Sequence, residues 1–205
     1  MAGSFWCLVE DDRQGNPKKV MAEVLGEASR LAMLMGAQAE AVWLTDKATD
    51  AGIAQLGQWG AKRVLLLVNP AFAPYRGEVW APVLAELCRK ESPQAFFGVV
   101  TARQREVMAR LAARLGAGLS ADSTALALED GKLIATRPVY AGKLLSKMTW
   151  AKTPWLATLR PNVFKPADSQ PGAAASVEKP AVTLPAAVMS LVERREDSST
   201  GLPEL

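Results

Sequence analysis

Three consecutive acids, Glu10-Asp11-Asp12, are the first residues of the chain that could do chemistry. They end a short apolar run, Phe5 to Glu10, suited to a buried strand. Open α/β sheets place ligands at the carboxyl ends of their strands, so this cluster could hold a cation or meet a ribose. No second acidic cluster accompanies it to complete a metal site, and a solvated acidic loop is the expected reading. Arg103, Arg105, Arg110 and Arg114 decorate one helical segment and could bind phosphate or an acidic partner. That segment also carries a clean apolar stripe, so a solvated outer face is expected. Gly116-Ala117-Gly118 invites a phosphate-loop reading, but its glycines follow a helix and precede a strand. Anion cradling needs the reverse order, with helix N–H groups facing the ligand, so a helix stop is favoured. The sequence contains no G-x-G-x-x-G and no Walker motif.

Other reactive groups are scarce. There is no histidine, which removes the commonest general base and metal ligand. Cys7 and Cys88 lie in apolar periodic segments without an activating neighbour and read as packed thiols of a reducing compartment. Trp6, Trp43, Trp59 and Trp80 are expected in the core, whereas Trp150 and Trp155 flank an exposed-looking turn and could serve an interface. Lys143 and Lys147 are read as surface lysines. No catalytic residue, metal site or G-x-S-x-G nucleophile motif is expected, which argues against an independent hydrolase or transferase.

Positioning these groups requires a globular frame, and the composition supplies one: 49% hydrophobic and 22% charged residues exclude wholesale disorder. The net charge of +3 is too small to imply nucleic acid. No apolar run is long enough to cross a bilayer, and no basic leader precedes the first strand, so a cytoplasmic protein without direct membrane insertion is expected.

The first half alternates strand and helix. Val20, Val24, Ala28, Leu31 and Met35 recur at helical spacing after Asn16-Pro17, read as N-cap and first helical residue, with Gly36 as the stop. Glu40–Leu44 is a strand, Ala48–Trp59 a helix, and Arg63–Val68 an almost wholly apolar strand of the kind covered on both faces. Gly77–Lys90 is a helix and Ala95–Val100 a strand; Thr101 and Gln104 form a capping box that opens the next helix. The order predicts an α/β fold, with a mostly parallel sheet, right-handed crossovers and helices on both faces.

After residue 118 the period changes. Thr124–Leu128 and Lys132–Thr136 flank Asp130-Gly131, a strong hairpin signal. Leu144–Trp150 and Trp155–Leu159 are further strands of a β-rich antiparallel extension. The expected organisation is one α/β domain over residues 1–197. Within it, strand and helix alternate over residues 1–118, residues 119–165 are β-rich, 166–180 are a loop and 181–197 a final strand; Val182–Glu193 could also be a helix, but the alternation of Val188, Ser190 and Val192 favours strand. Residues 198–205 read as a linker.

The run Leu111-Ala112-Ala113-Arg114-Leu115-Gly116-Ala117-Gly118-Leu119-Ser120-Ala121-Asp122, then Thr136-Arg137-Pro138-Val139-Tyr140-Ala141-Gly142, then Ala157-Thr158-Leu159-Arg160-Pro161, resembles in order and spacing the N-terminal domain of the electron transfer flavoprotein α subunit. The start of the chain agrees: strand, Glu10, polar loop with Gly15, long helix, Glu40-Ala41-Val42. One departure is Lys143, where the family commonly has asparagine.

The resemblance implies a heterodimeric electron carrier. Its partners would be an electron transfer flavoprotein β subunit, flavin dehydrogenases such as acyl-CoA dehydrogenases, and a quinone reductase. The redox cofactor would be FAD in the full-length α/β heterodimer. The family holds FAD mainly in a second α-subunit domain that opens with a Ser-Gly-Gly-Arg-Gly-type loop, which this sequence lacks. The chain is therefore expected to be a redox-silent fragment, a scaffold for β-subunit association and for the missing flavin domain. The family's AMP belongs to the β subunit. Arg137, Pro138, Tyr140 and Gly142 carry the family motif and are the expected interface residues. The alternative reading is an adenine-nucleotide-binding α/β module.

Overall fold

The computed structural model describes residues 3–193. Four strand–helix units open the chain: β1 (Ser4–Leu8) and α1 (Met21–Leu34), β2 (Gln38–Thr45) and α2 (Asp50–Gln58), β3 (Arg63–Val68) and α3 (Gly77–Glu91), β4 (Ala95–Val99) and α4 (Ala102–Leu115). Six strands follow: β5 (Leu119–Ser123), β6 (Ala125–Glu129), β7 (Lys132–Val139), β8 (Leu144–Thr149), β9 (Trp155–Leu159) and β10 (Ser176–Glu178). Seven strands form one sheet in the order β10-β3-β2-β1-β4-β9-β5, and β6-β7-β8 form a second. Every pairing in the large sheet is parallel. The small sheet is antiparallel. The expected α/β class, with a β-rich antiparallel extension, is what the chain adopts.

The pleat divides the core in two. Phe5, Cys7 and Val9 face one side with α1, Leu56 and the small sheet's Leu126, Leu133 and Ala135. Trp6 and Leu8 face the other with the apolar sides of α3 and α4. Strands apolar on both faces must be covered on both, which is why β1 and β4 run through the middle. Edge-on aromatic pairs join neighbouring strands on both faces: Phe5 with Phe97 at 6.0 Å and Trp6 with Phe96 at 5.4 Å.

Five local expectations change. Trp155–Leu159 does not belong to the antiparallel extension; every residue of β9 is buried, and the strand inserts between β4 and β5 in the parallel sheet. Leu119–Ser123, inside the stretch expected to be β-rich but given no strand bounds of its own, becomes the edge strand of the large sheet. Helix α1 begins at Met21 rather than at Pro17. Asn16 is consumed by the preceding loop instead: its backbone N–H and Nδ2 donate to Asp12 at 3.0 and 3.1 Å, and its Oδ1 accepts from Thr49 Oγ1 at 2.8 Å. Only half of the Thr101–Gln104 box forms. Thr101 Oγ1 accepts the Gln104 N–H, but the Gln104 side chain turns inward, donating to Leu8 O at 3.1 Å and accepting from Val99 N at 2.7 Å. Gly98 permits this, because a Cβ there would meet Gln104 Oε1 at 2.7 Å.

The fifth change concerns the carboxyl-terminal segment. The final strand is the three-residue β10, inside the stretch read as loop, and residues 181–193 form no strand. Ser176-Val177-Glu178 pairs with the free edge of β3, and Glu178 joins Glu40 and Glu91 around the Arg63 guanidinium at 2.8–2.9 Å. Val188, Ser190 and Val192 alternate, but they pair with no strand. Residues 194–197 of that expected strand, and the 198–205 linker, lie outside the described residues. The segment reaches β10 by crossing two helices at glycine notches: a Cβ on Gly26 would sit 2.7 Å from Ala167 N, and one on Gly57 2.7 Å from Ala175 N. It then follows α3, with Lys90 Nζ donating to Ala181 O, Thr183 N–H to Glu86 and Met189 N–H to Glu78. Among the described residues no helix is long and apolar enough to cross a membrane.

Candidate functional site

Two regions gather the groups singled out in the sequence. The first is a cleft of about 1050 Å³ at the carboxyl edge of the large sheet, lined by residues that include Glu10, Asp11, Thr45, Tyr75, Trp80, Arg103 and Leu191. Glu10 and Asp11 are not a solvated loop: each is only 5% exposed. Arg103, expected on a solvated face, turns in to meet them, its Nη2 3.1 Å from Glu10 Oε1 and 3.3 Å from Asp11 Oδ1. The remaining carboxylate oxygens are also occupied. Thr101 Oγ1 donates to Glu10 Oε2 at 3.1 Å, and Trp43 Nε1 to Asp11 Oδ2 at 3.0 Å. The Arg103 guanidinium lies over the Trp80 ring at 5.2 Å. Buried charges persist only when paired and fully hydrogen-bonded, and this set meets that condition internally.

Asp12 stays exposed and organises the β1–α1 loop, accepting from Gln14 N–H at 2.7 Å and from Asn16. The Asn16 side-chain hydrogen bond, foremost, holds its carboxyl below the usual range. Burial drives the Cys7 thiol far up and the Cys88 thiol up to about 12, so neither is a thiolate near neutrality. Among the described residues no cluster of three or more His, Cys, Asp or Glu side chains could hold a metal ion. Gly116 is the left-handed cap of α4, with φ of 56°, as a helix stop requires.

The second region is the ribbon formed by β7 and β8. It carries Arg137, Pro138, Tyr140 and Gly142, brought together within one hairpin end. Arg137 pairs across with Ser146, Pro138 with Leu145 and Val139 with Leu144. At its end Tyr140, Ala141 and Gly142 all have positive φ, of 51°, 54° and 85°. The Gly142 N–H closes the turn on Val139 O at 3.1 Å. Three consecutive residues of positive φ form a left-handed run that glycine adopts freely and that a tyrosine does not. A tyrosine in the left-handed region costs roughly 1–2 kcal/mol. Tyr140 is nevertheless 76% exposed, and Leu144 and Leu145 beside it are 58% and 69% exposed. Strain held at an exposed aromatic residue points to function. Lys143 and Lys147 are on this surface and exposed, as expected.

Trp150 and Trp155 do not belong to it. Both are buried: Trp150 donates to Gly118 O at 2.8 Å, and Trp155 packs edge-on against Phe5. At the ribbon's base the structure adds a pair the sequence did not single out as a site. Asp122, with φ of 60°, receives Arg160 in a two-pronged ion pair of 2.9 and 2.6 Å. Thirty-eight residues separate the partners, and only their shared presence in the family-like runs could have drawn attention to them.

Comparison with known proteins gives a consistent result. The family model described as electron transfer flavoprotein domain matches residues 5–185. The chain is 35% identical over 182 residues to "Protein FixB" of Clostridium saccharobutylicum, covering 87% of this chain and 53% of that protein. It is 32% identical to the electron transfer flavoprotein subunit alpha of Syntrophomonas wolfei over its whole length, covering 62% of that protein. It is 34% identical over 163 residues to the subunit of that name from Clostridium acetobutylicum, covering 78% of this chain and 48% of that protein. The chain thus spans about half to three-fifths of the length of these relatives.

Proposed function

Because this chain belongs to the electron transfer flavoprotein family, we propose that it is the amino-terminal portion of an α subunit, a protein-docking scaffold within an electron carrier rather than an enzyme. The residues here do not fit FAD. The carboxyl-edge cleft, where an α/β sheet would seat a dinucleotide, presents two buried carboxylates already paired to Arg103, and no glycine-rich loop stands there to admit a pyrophosphate. FAD in the complete α/β heterodimer would then be held by regions of the assembly other than this segment, and this chain alone is redox-silent. The electron donors would be flavin dehydrogenases such as acyl-CoA dehydrogenases, and the acceptor a quinone reductase. A cytoplasmic location follows from the same reading.

The observation that carries the docking role is the ribbon end, where a strained turn holds Tyr140 out beside Leu144 and Leu145. Clustered exposed apolar groups of this kind mark interaction surfaces. In this reading Arg137, Pro138, Tyr140 and Gly142 shape the surface that meets the β subunit. Coexpression with the β subunit and size-exclusion chromatography is expected to yield a one-to-one complex, weakened by Arg137→Ala. Failure of the native pair to assemble would remove the reading, as would a stoichiometric yellow flavin chromophore on this chain alone.

The adenine-nucleotide reading rests on the carboxyl-edge cleft. Calorimetric titration with AMP and ADP is expected to give no saturable heat, because the phosphates would have to approach Glu10 and Asp11.

A further inference from the structure

Asp122 lies at the carboxyl end of the edge strand β5, where arginines from three elements converge. Arg160, just past β9, makes the two-pronged ion pair. Arg105 comes from the first turns of α4 and Arg137 from β7. Both are close enough to help Arg160, the principal cause, hold the Asp122 carboxyl below its usual range. Glu106, which also lines the groove beside Arg105, is engaged by Arg110 at 2.7 Å, so the three guanidinium groups around Asp122 keep the local balance positive. Asp122, the acid that Arg105 and Arg137 both face, is already gripped by Arg160, and Arg137 Nε is buried with no hydrogen bond. An orphaned buried donor costs stability and calls for an explanation. A shallow groove of about 480 Å³, lined by Arg105, Leu119, Ala121 and Thr158 among others, opens beside the cluster between α4 and β5.

We propose that the Arg105–Arg137–Arg160 cluster is a receptor for a carboxylate of an acidic segment on the partner protein. Asp122 shows the chemistry in miniature: planar guanidinium groups here already grip a carboxylate in the fork geometry that arginine suits and lysine does not. A protein segment, rather than a free anion, is favoured by continuity with the apolar ribbon end. Arg137 stands across from Ser146, next to the Pro138–Leu145 and Val139–Leu144 pairs, so a carboxylate docked on it would sit beside side chains that only a protein surface would cover. The inference rests on the reading that this chain docks a β subunit, and adds the chemistry of that contact.

The test measures dissociation constants of the α/β pair against salt concentration for the native protein, Arg105→Glu combined with Arg137→Gln, and Asp122→Asn. Arg105 is exposed, so its reversal should leave the fold intact, verified by an unchanged melting midpoint. The double variant is expected to dissociate at least tenfold more readily and to flatten the salt dependence. Asp122→Asn, which frees Arg160 while keeping a residue tolerant of positive φ, is expected to shift both quantities the opposite way. If the pair assembles but neither substitution moves affinity or salt slope, the receptor is wrong and the docking reading survives. If the native pair does not assemble, both fall. Saturable binding of inorganic phosphate to this chain alone, abolished in the double variant, would make the cluster a small-anion site and overturn the proposal.

Discussion

The carboxyl-edge cleft and the β7–β8 ribbon differ in what their polar and apolar groups have left to give. In the cleft, Glu10, Asp11, Thr101, Trp43, Trp80 and Arg103 satisfy one another across strands β1 and β2 and helices α3 and α4. At the ribbon, Tyr140, Leu144 and Leu145 have no cover, and Arg137 has a buried donor without an acceptor. Residue types that promise chemistry are in this chain mostly engaged in holding it together. The groups left unengaged are the ones that would meet another molecule.

Arg103→Ala strikes the cleft hardest. It strands two carboxylates that are nearly inaccessible, and removing one partner of a buried pair costs about 3–5 kcal/mol. Urea unfolding should show that loss. A cost below ~1 kcal/mol would mean that the cleft is hydrated and open to ligands. Next in size, Leu144→Ser with Leu145→Ser should weaken β-subunit binding by about 2 kcal/mol, the scale of an interface anchor, while leaving the chain's own stability within ~0.5 kcal/mol. A stability loss as large as the binding loss would place those leucines in the fold rather than the interface. Tyr140→Gly should separate the two roles in one variant. Relief of the left-handed strain stabilises the isolated chain by about 1 kcal/mol, and loss of the ring weakens association. Improved or unchanged affinity would leave the strained tyrosine without a purpose.

The smallest effect is pH-dependent. Asp122 has a folded-state pKa below its ordinary value of 3.8, because of Arg160 first. Its contribution to stability is therefore present above about pH 4 and lost as pH falls through the lower folded value. Asp122 is over a third exposed, so solvent screening limits that contribution to under ~1 kcal/mol. Asp122→Asn should shallow the acid limb of the stability curve by that amount, and an acid limb unchanged from the native protein would show that the ion pair contributes nothing.

Local signals carried the first four strand–helix units, because each unit buries an unbroken apolar strand and ends at a strong stop such as Gly36, Gly60 or Gly116. They failed where the outcome depends on a remote partner. Nothing near Trp155–Leu159 says that it will enter a sheet whose neighbouring strand lies some sixty residues earlier. Ser176-Val177-Glu178 becomes a strand only because the edge of β3 is free to receive it. The Asn16-Pro17 signal was outcompeted by Asp12, which offered that asparagine a closer partner. The residues offered as an interface came from family-like runs, whereas the engagement of Arg103 by Glu10 and Asp11 joins positions 92 or more residues apart and has no local signature.

The carboxyl-terminal segment also gives the chain a mechanical character. Tension applied from the far end would meet its contacts in series: Met189 on Glu78, Thr183 on Glu86, Ala181 on Lys90, and only then the short ladder of β10 on β3. Contacts loaded one at a time peel at low force, whereas strands pulled along their length resist together. The segment would therefore unwind like a cord from a spool, down to the notches at Gly26 and Gly57, before the two aromatic cores bore any load.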